Sequence, residues 1–152
     1  MIDFKKDDLP EPPVGFLLAK THLLLKRQLN RAFAEAGHDV TVEQMGLLIF
    51  LWHKEGFSQR ELVNKVKKVK SSIARLIDNM EKRNLVVRVA DQSDKRNKLI
   101  YLTHKGKTLR NDLEIILNQQ LAKAYKGIPE ENIDILKNTL KCMFVNLQKE
   151  EN

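Results

Sequence analysis

One stretch of this 152-residue chain breaks an otherwise helical pattern. Leu85-Val86-Val87-Arg88-Val89 and Leu99-Ile100-Tyr101-Leu102-Thr103 are short runs rich in β-branched and aromatic residues. Between them stands Asp91-Gln92-Ser93-Asp94-Lys95-Arg96-Asn97-Lys98. Two such runs joined by polar residues predict a β-hairpin. The connection holds no Gly and is too charged for a tight turn. It is long for a hairpin loop, and long connections are often functional. A basic stretch with helical spacing lies directly upstream. The chain is therefore expected to carry a basic helix followed by a basic hairpin.

Helical periodicity accounts for the rest. Residues 1–13 are polar, with Pro10, Pro12 and Pro13, and read as an arm. Apolar residues from Val14 to about Glu35 fall at helical spacing, and Gly37 is placed to end that helix. Thr41-Val42-Glu43-Gln44 and Ser58-Gln59-Arg60-Glu61 both match the capping box that opens a helix. The first predicts a helix from Val42, with Met45, Leu48, Ile49 and Trp52 on its apolar face and Gly56 closing it. The second predicts a short helix with Leu62, Val63 and Val66. After a turn at Lys67-Lys68-Val69, a helix is expected from about Lys70 to Arg83, with Ile73, Leu76, Ile77 and Met80 inward. Asn84 stands where a left-handed exit is needed, and Asn tolerates it. Beyond the hairpin, Thr103 caps another helix, Gly127 ends it, and Pro129 begins the last. The expected class is mainly α with a small β-hairpin (α+β).

The charge is unevenly placed. Lys54 to Arg110 holds 16 Lys/Arg against 6 Asp/Glu, a net of +10; the remainder holds 11 against 14, a net of −3. A polyanion would meet the middle of the chain rather than its ends. The single cysteine, Cys142, excludes an internal disulfide framework and fits a reducing compartment. No signal peptide and no apolar run long enough for a membrane span is visible, so a soluble, cytoplasmic protein with no membrane partner is expected. No glycine-rich phosphate loop, nucleophile elbow or paired-carboxylate site points to an enzyme. His22, His38, His53 and His104 lack metal-ligand spacing, so neither a metal nor a cofactor is expected.

Two helices joined by a short turn, the second one basic, make a helix-turn-helix, whose second helix fits the major groove of DNA. Its first turns carry Lys70, Ser71, Ser72, Ala74 and Arg75. Ser bonds most base edges, Ala touches a thymine methyl, and Arg takes guanine with two parallel bonds. Lys67, Lys68 and Lys70 suit phosphates, and Ser58, Gln59 and Arg60 place backbone N–H groups at a helix N-terminus where a phosphate can bind. In the hairpin, Lys95, Arg96 and Asn97 form the tip, and Arg96 can enter a narrow minor groove. Asp94 cannot help with phosphates; it is expected to orient a neighbouring Arg by an ion pair, or else to cap a turn.

Ser71-Ser72-Ile73-Ala74-Arg75-Leu76-Ile77, Met80-Glu81-Lys82-Arg83-Asn84-Leu85-Val86, Asp94-Lys95-Arg96 and Leu102-Thr103 together resemble the MarR family of bacterial transcriptional regulators. The resemblance spans most of the chain. It implies a winged helix-turn-helix in a dimer built from N- and C-terminal helices. It also implies a palindromic operator, usual action as a repressor, and release by a small aromatic anion or by thiol oxidation. By that resemblance Ser71, Ser72 and Arg75 are recognition-helix readers, Arg96 is the wing-tip arginine, and Asp94 is the acid that steadies the wing. Two positions depart from the family: Lys67 and Asn84 stand where it usually has Gly.

The resulting division is 1–36 as arm and dimerisation helix, 37–103 as DNA-binding domain, and 104–152 as C-terminal dimerisation helices. The first and last helices carry broad apolar stripes, which a second copy would cover; packing on each other within one chain is the alternative. Cys142, beside Met143 and Phe144, is expected to be buried and inert. Met45, Trp52 and His22 are candidates to line an effector pocket. Expected partners are double-stranded DNA, a second copy, and a small aromatic or anionic effector. Two rival readings are a winged-helix protein-interaction module and a non-specific architectural DNA binder.

Overall fold

A computed structural model describes residues 11–66 and 70–150. Among the described residues six helices and three strands follow one another: α1 (Val14–Glu35), α2 (Val42–His53), β1 (Phe57–Ser58), α3 (Gln59–Val66), α4 (Lys70–Lys82), β2 (Val86–Ala90), β3 (Lys98–Leu102), α5 (His104–Ala124) and α6 (Glu130–Glu150). They form two compact units, the first ending at Leu117 and the second beginning at Asn118. No helix among them is long and apolar enough to cross a membrane.

Helix ends follow the punctuation in the sequence. At α2, Thr41 Oγ1 accepts the Gln44 N–H at 3.2 Å and the Gln44 side chain accepts the Thr41 N–H at 3.1 Å, a complete capping box. α1 and α4 leave by the same route. The His38 N–H reaches Phe33 O and the Gly37 N–H reaches Ala34 O; the Leu85 N–H reaches Met80 O and the Asn84 N–H reaches Glu81 O. Both are Schellman exits, which need one left-handed residue. Gly37 supplies it at φ +82° and Asn84 at φ +58°, so Asn serves where the family usually has Gly.

The hairpin forms, displaced by one residue from the expected strands. Val86 pairs with Leu102, Arg88 with Ile100, and Ala90 with Lys98. A third strand was not expected: Phe57 and Ser58 pair with Ile100 and Leu99, giving the sheet order β1-β3-β2. Ser58 thus ends a strand and caps a helix at once. The core of the first unit gathers Leu29 and Phe33 of α1, Leu47, Leu48 and Leu51 of α2, Leu62, Ile73, Ile77 and Met80 of the next two helices, Ile100 of the sheet and Leu113 of α5.

The N-terminus of α5 grips the exit of α4. The Thr103 N–H donates to Leu85 O at 3.1 Å, Thr103 Oγ1 to Asn84 O at 2.6 Å, and Lys105 Nζ to Arg83 O at 3.1 Å. Gly106 lies so close to this turn that an added Cβ would stand 2.1 Å from Leu85 O. In the second unit, α6 leaves Ile135, Leu136, Leu140, Phe144, Val145 and Leu147 exposed. Cys142 on the same helix is exposed, which corrects the expected burial: this turn of α6 has too few neighbours among the described residues to cover it.

Candidate nucleic-acid interface

α4 turns its polar face outward because its apolar residues hold the other one. Ile73, Ile77 and Met80 are buried and Leu76 is half-buried, leaving Lys70, Ser71 and Arg75 exposed and Ser72 and Ala74 half-exposed. No side-chain hydrogen bond or ion pair to another described residue engages Lys70, Ser71, Ser72 or Arg75. Lys67 and Lys68 lie outside the described residues.

At the start of α3 the geometry narrows one expectation. Ser58 is buried, and both its N–H (2.7 Å) and its Oγ–H (2.9 Å) donate to the Glu61 carboxylate. The Glu61 N–H returns a bond to Ser58 Oγ at 3.2 Å. These bonds, the backbone one foremost, hold the Glu61 carboxyl below its ordinary range. With both donors engaged, Ser58 is a cap, and of the three residues expected to meet a phosphate at this helix start only Gln59 and Arg60 are not committed to Glu61.

The wing loop is shaped by its own acids. Asp91 accepts the Ser93 N–H at 2.9 Å and its hydroxyl at 2.8 Å, and these bonds lower the Asp91 pKa. The Asp91 N–H donates to Asn97 O at 3.0 Å, and the Asn97 N–H to Asp94 O at 2.8 Å. The Asp94 carboxylate accepts the Arg96 backbone N–H at 3.0 Å. Asp94 therefore bends backbone as an Asx turn, and forms no ion pair among the described residues. Of the two expectations for Asp94 the turn cap holds, because a carboxylate two residues before an N–H reaches it at no cost in side-chain extension. Lys95, Arg96 and Asn97 stand exposed at the tip.

Arg88 was not singled out from the sequence. Its guanidinium pairs with both Asp78 and Glu81 of α4, and its N–H donates to Glu81 Oε1 at 3.2 Å. The signal was parity: in a strand, Val86 and Arg88 share a face, and Val86 is core. A second feature lies between α2 and α5. A groove of about 470 Å³ is lined by Ile49, Phe50, Trp52, His53, Arg110 and Glu114. The Trp52 indole N–H on its wall donates to Gly106 O at 2.9 Å. Met45 is core and His22 is exposed on α1, so of the three pocket candidates the groove contains Trp52.

The family model of the MarR family matches residues 40–98. A MarR-family transcriptional regulator of known structure from Rhodococcus sp. RHA1 is 30% identical; the match covers 86% of this chain and 92% of that one, with a TM-score of 0.76. The chain belongs to the MarR family. The structure of CouR from Rhodococcus jostii RHA1 bound to p-coumaroyl-CoA is 28% identical to this MarR chain, over 90% of it and 95% of CouR, with a TM-score of 0.75. The HTH-type transcriptional regulator MhqR of Bacillus subtilis (strain 168) is 22% identical over 136 residues, 90% of this chain and 92% of MhqR. This MarR-family protein is a DNA-binding transcriptional regulator of winged helix-turn-helix fold and not an enzyme.

Proposed function

We propose that this regulator binds a palindromic operator as a homodimer, represses from it, and is released by a small aromatic or anionic effector. The observation that carries the reading is a set of outward cations with no partner among the described residues, Lys70 and Arg75 on α4 and Arg96 on the wing, within the basic middle of the chain. From α4, Ser71, Ser72, Ala74 and Arg75 read the major groove. Lys70, Gln59 and Arg60, with Lys67 and Lys68, hold phosphates, while Ser58 braces that helix start. Lys95, Arg96 and Asn97, shaped by Asp94, enter the flanking minor groove.

In this reading residues 37–103 meet DNA, and 1–36 and 104–152 hold the dimer. Phe16, Leu17, Leu23 and Leu24 of α1 and the exposed apolar residues of α6 are more large side chains than a lone chain leaves to water without purpose. The groove beside Trp52 and Arg110 suits the effector: an indole to stack on and a guanidinium that Glu114 holds through Nε at 2.7 Å, with its terminal nitrogens left for an anion. That CouR is seen with p-coumaroyl-CoA supports an aromatic acid or its thioester.

Selection of duplexes from a random-sequence library by the purified protein, followed by sequencing, tests the DNA reading. One enriched inverted repeat is expected. Retention of DNA without enrichment would replace it with an architectural binder, and no retention with an interaction module. Trp52 is the single tryptophan, so titration with p-coumaric acid or p-coumaroyl-CoA should change the protein's fluorescence if the groove takes the effector.

A further inference from the structure

The recognition helix and the wing are separate elements, yet the proposed reading requires both to meet DNA at one fixed spacing. Two kinds of bond join them. Apolar packing of Ile77 and Met80 with Val86 and Ile100 holds them together, but such packing is non-directional and permits small rotations. Arg88 supplies the directional part. Among the described residues its two ion pairs are the only ones between α4 and the sheet.

The geometry suits a brace. Arg88 sits mid-way along β2, opposite Ile100, on the strand that ends in the wing loop. β2 is an edge strand, and its outward N–H at Arg88 is taken by Glu81 rather than left to water. The two carboxylates are three residues apart, so they share one face of α4, and Asp78 lies one turn beyond Arg75. A planar guanidinium reaching two carboxylates has little rotational freedom. The Arg88 side chain is only 23% exposed, and both carboxylates hold its guanidinium.

Resting on the DNA-reading role given above, we propose that Arg88 is a positioning residue. By holding Asp78 and Glu81 it sets the angle between the helix that carries Arg75 and the wing that carries Arg96, without touching DNA itself.

The test compares the wild type, Arg88→Met and Arg88→Lys on two duplexes, the sequence the wild type enriches from a random library and a scrambled version. Affinity is read by fluorescence anisotropy at several salt concentrations, with thermal unfolding followed in parallel. Arg88→Met keeps stem volume and removes the fork. The preference for the selected duplex should fall by about tenfold or more, as residues coupled in one network do when one is removed. The salt slope should not change, because no phosphate contact is lost. Lys cannot reach both carboxylates as a fork, so Arg88→Lys should restore the preference only in part. Should Arg88→Met fail to fold, Asp78→Asn, on the exposed side of the pair, should show the same loss in smaller measure.

An unchanged preference in these variants overturns the inference. So does a salt slope lowered by about one with preference intact, the signature of a phosphate contact. A wild type that does not discriminate the two duplexes overturns the regulator reading itself, and this inference with it. Intact wild-type discrimination combined with an unaffected Arg88→Met overturns this inference alone.

Discussion

Gly106→Ala separates two opposite expectations by sign. Gly106 is the third residue of α5, and Gly inside a helix is usually a weakness: replacement by Ala stabilises by about 1 kcal/mol where nothing interferes. Here an ideal Cβ would stand 2.1 Å from Leu85 O and 3.2 Å from Leu102 Cδ2, where real Cβ atoms keep 3.0 Å or more. The gap must open by about 0.9 Å. The obstructing atom is backbone carbonyl, itself held by the Thr103 N–H at 3.1 Å, so no side chain can swing aside. Opening the gap also pulls on Trp52, bonded to Gly106 O. Overpacking costs about 1–3 kcal/mol and each weakened hydrogen bond about 1 kcal/mol. Set against a propensity gain of about 1 kcal/mol, the net is a loss of about 2 kcal/mol. Urea denaturation of Gly106→Ala and of Gly46→Ala makes the comparison internal. Gly46 in α2 has nothing within 4 Å of its added Cβ, so that variant should be neutral or more stable. A stabilised Gly106→Ala would refute the close approach of α5 to the α4 exit.

Arg75→Ala should lower the preference for the selected operator over scrambled DNA, while Lys70→Ala should weaken both alike and reduce the salt slope by about one; equal effects on both measures would undo that division of roles. Arg96→Ala should cost affinity in an anisotropy titration and leave the dimer intact by analytical ultracentrifugation; unchanged binding would return the hairpin tip to a plain turn. Ser58→Ala should lose about 1 kcal/mol of stability as a helix cap. Because the Glu61 pKa is lowered in the folded protein, the stability of this cap is present above the ordinary carboxylate value near 4.5 and is lost as pH falls through the lowered one. The gap between wild type and Ser58→Ala in thermal unfolding should therefore shrink in acid, and a gap that stayed constant to pH 2 would show that Glu61 takes no part.

What could be read from residues alone was whatever local chemistry settles. The Thr41 and Ser58 boxes and the Gly37 and Asn84 exits each involve atoms within five residues, so their bonds are implied by the order of side chains. The α4 stripe Ile73-Ile77-Met80 was legible for the same reason, and with it the outward position of Arg75. Features that depend on distant partners were not. β1 is two residues long, too short to show a period of two, and exists because Leu99 and Ile100 offer it an edge. Gly106 looked like any helix-weakening glycine until Leu85 O was placed against it. Arg88 looked like one more cation in a basic region, yet its charge is committed to Asp78 and Glu81. The Asp94 ion pair, expected from charge, gave way to an Asx turn because the nearer donor was a backbone N–H.

Hydroxyl-radical footprinting on the selected operator tests the central claim most directly. Two equivalent protected half-sites should appear with centres about one helical turn apart, roughly 34–36 Å, flanked by minor-groove protection that Arg96→Ala removes. A single protected half-site, or protection spread evenly along the duplex, would contradict a paired reader with two wings.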